Sequence, residues 1–246
     1  MQDSLFHSLI DIRESKAGLL GKADLVLERA RWATSIFERY DIQTTIKIVK
    51  AVSDAAFEMA EEFAGKAVEE TGFGIKEHKK IKNEMASRYL FNYYVEQDFV
   101  NPRVNEEKKI VEIPRPAGVI FALIPSTNPI ATVNYKIILA LLTRNAIVIS
   151  PHPAAQSCSY EAVQRLIHAA EKAGAPEGII QVLQSPTIPM VEAFMTSPKT
   201  NVILATGGTP MVRSAYSSSN PAIGVGPGNV PVYVDSTANI KMAAQR

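Results

Sequence analysis

One cysteine stands in 246 residues, so neither an intrachain disulfide framework nor a cysteine-rich metal site can form, and a reducing compartment fits. Four histidines, His7, His78, His152 and His168, are too scattered for a metal-ligand motif, and no metal is expected. Charge of one sign is also missing: 26 Lys and Arg against 25 Asp and Glu leave a formal charge of +1. Without a dominant field the chain suits neither nucleic acid nor an anionic membrane surface, and a small-molecule partner is the better expectation. No apolar run reaches the roughly 18 to 20 residues a membrane helix needs. The start, MQDSLFHSLIDIRESK, is acidic early and lacks a basic segment followed by an apolar one, so no secretory signal is expected. A solvated first helix is expected there, with a short amphipathic docking segment as the alternative. These absences together describe a cytoplasmic globular protein.

What is present begins with helical periodicity. Ile46, Val49, Val52, Ala56, Met59, Phe63 and Ala67 recur three or four apart, which predicts one apolar packing stripe within a helical region over residues 1–95. Gly72 and Gly74 end the long helix, and KEHKKIKNEMASRYLFNYYVEQ resumes the pattern. The lysines from Lys76 to Lys82 resemble a phosphate-binding patch, but Glu77 and Glu84 interleave with them, which favours a solvated helix face. Over residues 96–117 the pattern becomes short and extended, punctuated by Pro102, Pro114 and Pro116, as in a connector or edge strand.

From Gly118 onward, strand-sized apolar runs alternate with helix-sized stretches. GVIFALIP, AIVIS, IIQVL and NVILAT are each followed by a helical pattern, and AIGVG and VPVYVD are two further strand-like runs before a last helix begins in TANIKMAAQR. Strands separated by helices need crossover connections, so residues 118–246 predict an α/β domain with a mostly parallel sheet covered on both faces. Ligands of such Rossmann-type sheets sit at the carboxyl ends of the strands.

Four strand ends carry turns of small or polar residues: PSTNP, SPHP, ATGG and GVGPGN. A parallel sheet brings them to one edge. GVGPGN imitates a dinucleotide fingerprint, but Asn229 stands where the last glycine belongs and a strand-like run follows, so close approach of two strands is the better reading. In ATGG, Thr206, Gly207 and Gly208 follow a strand and open a helix, offering free amides and the positive end of the helix dipole, or simply an N-cap. In PSTNP, Ser126, Thr127 and Asn128 either cap the next helix or place an amide donor against a developing oxyanion. Cys158, just beyond SPHP, is either a nucleophile or a small buried residue of a helix.

The ordered series ARWATSIFERYD, AVEETGFG, RPAGVIFALIPSTNP, RNAIVISPHP, AGAPEGIIQVL, ILATGG and AIGVGPGNVPVYVD resembles the aldehyde dehydrogenase superfamily, and specifically its coenzyme-A-acylating branch. The likeness covers almost the whole chain. It implies a thiolate that attacks an aldehyde, hydride transfer to NAD, and a thioester resolved by water or by coenzyme A. It implies Asn128 as the oxyanion donor. The implied cofactor-binding set is Ser126, Thr127, Ser150, His152, Pro153, Thr206, Gly207, Gly208 and Gly226. Two departures from the hydrolytic branch follow. Ser150 replaces a lysine that holds the adenosine ribose, and Gly224 replaces the glutamate that activates water, which points to a thiol acceptor.

The resemblance also implies that residues 96–117 form an oligomerisation strand in a homo-oligomer. The nucleophilic cysteine is expected on a catalytic domain beyond Arg246, absent here, leaving Cys158 as a helix-packing thiol and this chain inactive alone. Location in a bacterial microcompartment stays open. The alternatives are an acyl-phosphate reductase of the same superfamily, and a non-catalytic NAD-binding or assembly protein.

Overall fold

The computed structural model describes residues 15–228 and 231–245; the expected first helix before Ser15 lies outside them. Ser15 caps α1 (Lys16–Phe37) by accepting the Gly18 N–H at 3.1 Å, and Asp41 caps α2 (Ile42–Glu58) by accepting that of Thr44 at 2.7 Å. The chain bends at Met59 into α3 (Ala60–Thr71), so the apolar stripe runs over two helices where the periodicity predicts one. Val49, Val52, Ala56, Phe63 and Ala67 are buried as the stripe requires, whereas Ile46 is half-buried. Gly72, at φ 69°, ends α3 in the left-handed region that glycine enters without cost. α4 (Lys76–Glu84) passes through a π-turn at Met85–Tyr89 into α5 (Leu90–Tyr94).

An exposed antiparallel hairpin follows, β1 (Arg103–Asn105) with β2 (Ile110–Glu112). Then come β3 (Val119–Leu123), α6 (Pro129–Leu142), β4 (Ala146–Ser150), α7 (Gln156–Ala173), β5 (Ile180–Val182) and α8 (Ile188–Thr196). The chain continues through β6 (Val202–Thr206), α9 (Thr209–Tyr216), β7 (Ala222–Val225) and α10 (Ile240–Ala243). Strands β3 to β7 form one parallel sheet in the order β5-β4-β3-β6-β7. All side chains of β3 and β4 are buried, which explains why these strands read as unbroken apolar runs. α1 packs on β3 and β4 and against α8, while α2, α6 and α7 pack on one another. Each fully buried Leu, Ile or Phe of this shared core contributes roughly 1.5 to 3 kcal/mol.

The amino ends of the strands are pinned by amide side chains. Asn145 Oδ1 accepts the Gly118 N–H and Asn201 Oδ1 accepts the Val119 N–H, each at 2.8 Å. Gly118 sits at φ 122°, and a Cβ there would lie 2.3 Å from Asn201 Oδ1, so only glycine fits. Two residues past the end of α6, Arg144 is itself left-handed at φ 56°, and its guanidinium donates to the Glu38 carbonyl at 2.6 Å beyond the end of α1. Such pins set the register, and the register sets where the carboxyl ends fall.

VPVYVD departs from expectation: Pro231–Asp235 form no strand. A strand needs a neighbour to complete its hydrogen bonds, and the sheet ends at β7. Val232 and Tyr233 are 83% and 86% exposed. Among the described residues no helix is long and apolar enough to cross a membrane.

Candidate active site

From β3 the chain crosses to β4 on one side and later returns to β6 on the other. The crevice of such a sheet opens where the order reverses, between the carboxyl ends of β3 and β6. Lys136, on α6, donates from Nζ to the carbonyls of Leu123 and Leu204, both at 2.8 Å, tying these two strand ends together. With no carboxylate bonded to it, burial pushes its ammonium down to about 7.

The pairings Leu123 with Ser150 and with Ala205, and Thr206 with Val225, align the turns that follow these strands. Two adjoining cavities result, of about 310 and 330 Å³, with His152, Thr206, Gly207 and Gly208 on both rims. Ser150 and Pro153 line the first; Ser126, Thr127, Asn128 and Gly226 line the second. The structure therefore brings every sequence-predicted site residue to one edge. Ile124, Pro125, Pro186, Ile188 and Val191 give the first cavity apolar walls, suited to a flat heterocycle. Among the described residues no side chain caps α9, which leaves its positive end open toward an anion such as a pyrophosphate. The ATGG turn offers fewer free amides than expected, because the Gly207 N–H already donates to the Val225 carbonyl at 3.2 Å.

Asn128 occupies the N-cap position of α6 without capping it; its φ of −141° and ψ of 63° hold the side chain off the helix amides. Its Oδ1 instead accepts from Lys82 Nζ at 3.1 Å, and the preceding Thr127 carbonyl accepts from Lys79 Nζ at 2.6 Å. The expectation of a wholly solvated basic face on α4 needs correcting. Lys76 and Lys80 do pair with Glu61 at the surface, at 3.1 and 2.9 Å, whereas Lys79 and Lys82, three residues apart, turn toward the PSTNP turn. Burial, with Lys82 nearby, holds the Lys79 ammonium below its ordinary value. No pattern in the sequence marks these two lysines. The α8 wall does carry a local signal: SPTIP is another Ser/Pro-rich turn after a strand.

Cys158 lies elsewhere. It is 2% exposed in the first turn of α7, its thiol faces the Ala155 carbonyl at 3.6 Å, and it borders a separate surface hollow beside Glu70. Burial first, then the Glu70 carboxylate, push the thiol up to about 12, which suppresses the nucleophilic thiolate. At Gly224 a Cβ would meet Val212 Cγ1 at 2.6 Å and Tyr216 Cε2 at 2.8 Å. With α9 packed this way, the position has no room for a carboxylate side chain.

An aldehyde dehydrogenase family model matches residues 12–246. The chain is 39% identical over 225 residues to the bifunctional aldehyde-alcohol dehydrogenase of Escherichia coli K12, covering 91% of this chain and 25% of that protein. An acetylating aldehyde dehydrogenase from Geobacillus thermoglucosidasius superposes with a TM-score of 0.85 at 44% identity, over 94% of this chain and 51% of that one. A Rhodopseudomonas palustris propionaldehyde dehydrogenase with bound propionyl-CoA gives a TM-score of 0.77 at 33% identity, over 90% and 49%. The chain thus spans from a quarter to about half the length of these relatives.

Proposed function

This chain belongs to the aldehyde dehydrogenase family, and on that premise we propose that it is the cofactor-binding part of an NAD-dependent, coenzyme-A-acylating aldehyde dehydrogenase. One observation carries the reading: Asn128, its amide uncommitted to the helix it precedes, shares a cleft with His152 and the Gly207–Gly208 turn. Ser150, His152 and Pro153 hold the adenosine side of NAD; Thr206, Gly207 and Gly208 lie under its pyrophosphate. Ser126, Thr127 and Gly226 complete the rim toward the aldehyde. When bound, NAD supplies a hydride acceptor.

The chain's own residues do the remaining work on this side of the cleft. Asn128 Nδ2 donates to the oxygen of the aldehyde as negative charge develops on it, a contact strongest in the transition state. Gly224 brings no general base, so water goes unactivated from that position and the thiol of coenzyme A resolves the thioester. Cys158 supplies no thiolate, so the nucleophile belongs to a catalytic domain outside these residues, and the chain alone turns over no aldehyde. The exposed β1–β2 hairpin, with Val104, Ile110 and Val111 facing solvent, joins copies into a homo-oligomer. A cytoplasmic location follows from the chemistry of a reduced thiol acceptor.

The test is to follow NADH formation by the full-length gene product with an aldehyde, with and without coenzyme A, and to titrate this chain with NAD by calorimetry. Coenzyme-A-dependent NADH formation, and NAD binding weakened about three- to tenfold by His152→Ala, are expected. NADH formed equally well without coenzyme A would remove the acylating reading.

A further inference from the structure

We propose that Lys82 is the positioning residue of the oxyanion site: its ammonium fixes the Asn128 amide by the carbonyl end and sharpens its N–H end as a donor. The inference rests on Asn128 acting on the aldehyde oxygen, as proposed above. An asparagine amide has two ends of similar size and opposite function, and nothing intrinsic decides which faces a cleft. Here Lys82 Nζ donates to Oδ1 at 3.1 Å, so Oδ1 is engaged and Nδ2 is the free end of a side chain that lines the cavity. An ammonium can only donate, so the opposite orientation, with Nδ2 against Lys82, would set donor against donor.

The helix offers no competing anchor. Asn128 leaves α6 uncapped by its side chain, while its backbone carbonyl accepts from Thr132 Oγ1 at 2.7 Å. Lys79, one turn earlier than Lys82 on α4, holds the adjoining Thr127 carbonyl at 2.6 Å, so the backbone and the side chain of the same turn are gripped from one helix. The grip also has an electronic effect. A cation bound at an amide oxygen draws density from the nitrogen, so the N–H groups carry more positive charge when negative charge grows on the substrate. Lys82 is not among the residues that line the two cavities, whereas Asn128 is, so Lys82 acts through Asn128.

Lys82 is exposed, so its substitution spares the core. The test compares Lys82→Met, Lys82→Arg and Asn128→Ala, and the Lys82→Met/Asn128→Ala pair, in the full-length enzyme by steady-state kinetics. Lys82→Met is expected to lower kcat about tenfold, the loss of one charge-assisted contact, with KM for NAD and Tm little changed. Lys82→Arg, which keeps the donor and the charge, restores most of kcat. On an Asn128→Ala background, Lys82→Met has no further effect, because the amide through which it acts is gone. An impaired Asn128→Ala beside an undiminished Lys82→Met would overturn the role of Lys82 and leave the oxyanion reading standing. An undiminished Asn128→Ala would overturn both. A side-chain amide NMR signal of Asn128 that shifts with Lys82→Met reads the contact itself, independently of turnover.

Discussion

The carboxylate of Glu70, near the end of α3, accepts the backbone N–H of Cys158 at 2.7 Å and that of Ser157 at 2.8 Å, capping α7 from a residue 88 positions away. Two amides of the first turn that would otherwise lack partners are satisfied by a negative charge at the positive end of the helix. Glu70→Ala should therefore cost about 1 to 2 kcal/mol, the usual range for a lost N-cap. Chemical denaturation of the two proteins checks it. A change of a few tenths would mean that solvent replaces the cap.

Burial above all, and the same carboxylate second, silence the cysteine. With the Cys158 thiol pushed up to about 12 and 2% exposed, it should resist iodoacetamide at pH 8 in the native chain and react promptly in denaturant. Cys158→Ala should keep aldehyde oxidation in the full-length enzyme. A dead variant would make Cys158 the nucleophile after all.

Gly224 admits no side chain while Tyr216 stands where it does. Tyr216 Oη accepts the Gly224 N–H at 3.0 Å, so the ring is held against the strand and cannot swing away cheaply. Gly224→Ala should destabilise by roughly 1 to 3 kcal/mol, as overpacking does, and Tyr216→Ala should recover part of that loss. Melting temperatures of the single and double variants decide it; additive losses would contradict a shared cause.

Lys136 makes stability depend on pH in a defined direction. Its ammonium is pushed from an ordinary 10.5 down to about 7 by burial, so between those values the unfolded chain holds a proton that the folded chain releases. The folded state therefore has its full advantage above about 10.5, loses it as pH falls, and loses no more below about 7. Relative to Lys136→Met, the wild type should gain about 1 kcal/mol of stability per pH unit from 7 to 9. Parallel pH profiles for the two proteins would mean that Leu123 and Leu204 hold the amine fully charged.

The central strands of the sheet were legible because parallel strands buried on both faces need continuous apolar runs, as VIFAL and AIVIS are. The turns at their ends were legible for a related reason: the parallel topology sends every carboxyl end to one edge, so Asn128, His152 and Gly208 had to meet once the alternation was seen. At Pro231–Asp235 pattern and structure differ, because an apolar run records the burial a segment needs and says nothing about whether a neighbouring strand is there to meet it.

The sequence by itself determined an α/β chain of this family and the turns that form its cleft, because periodicity and turn chemistry act over a few residues and leave local patterns. Only the tertiary structure decided what each polar group does. Lys79 and Lys82 sit in one run of lysines with Lys76 and Lys80, yet they bond to the PSTNP turn while Lys76 and Lys80 pair with Glu61. Lys136, buried against β3 and β6, and Cys158, capped and silent, likewise owe their character to groups far along the chain. A hydrogen bond or a shifted pKa depends on distances of a few ångströms between such groups, and no spacing along one segment carries that information.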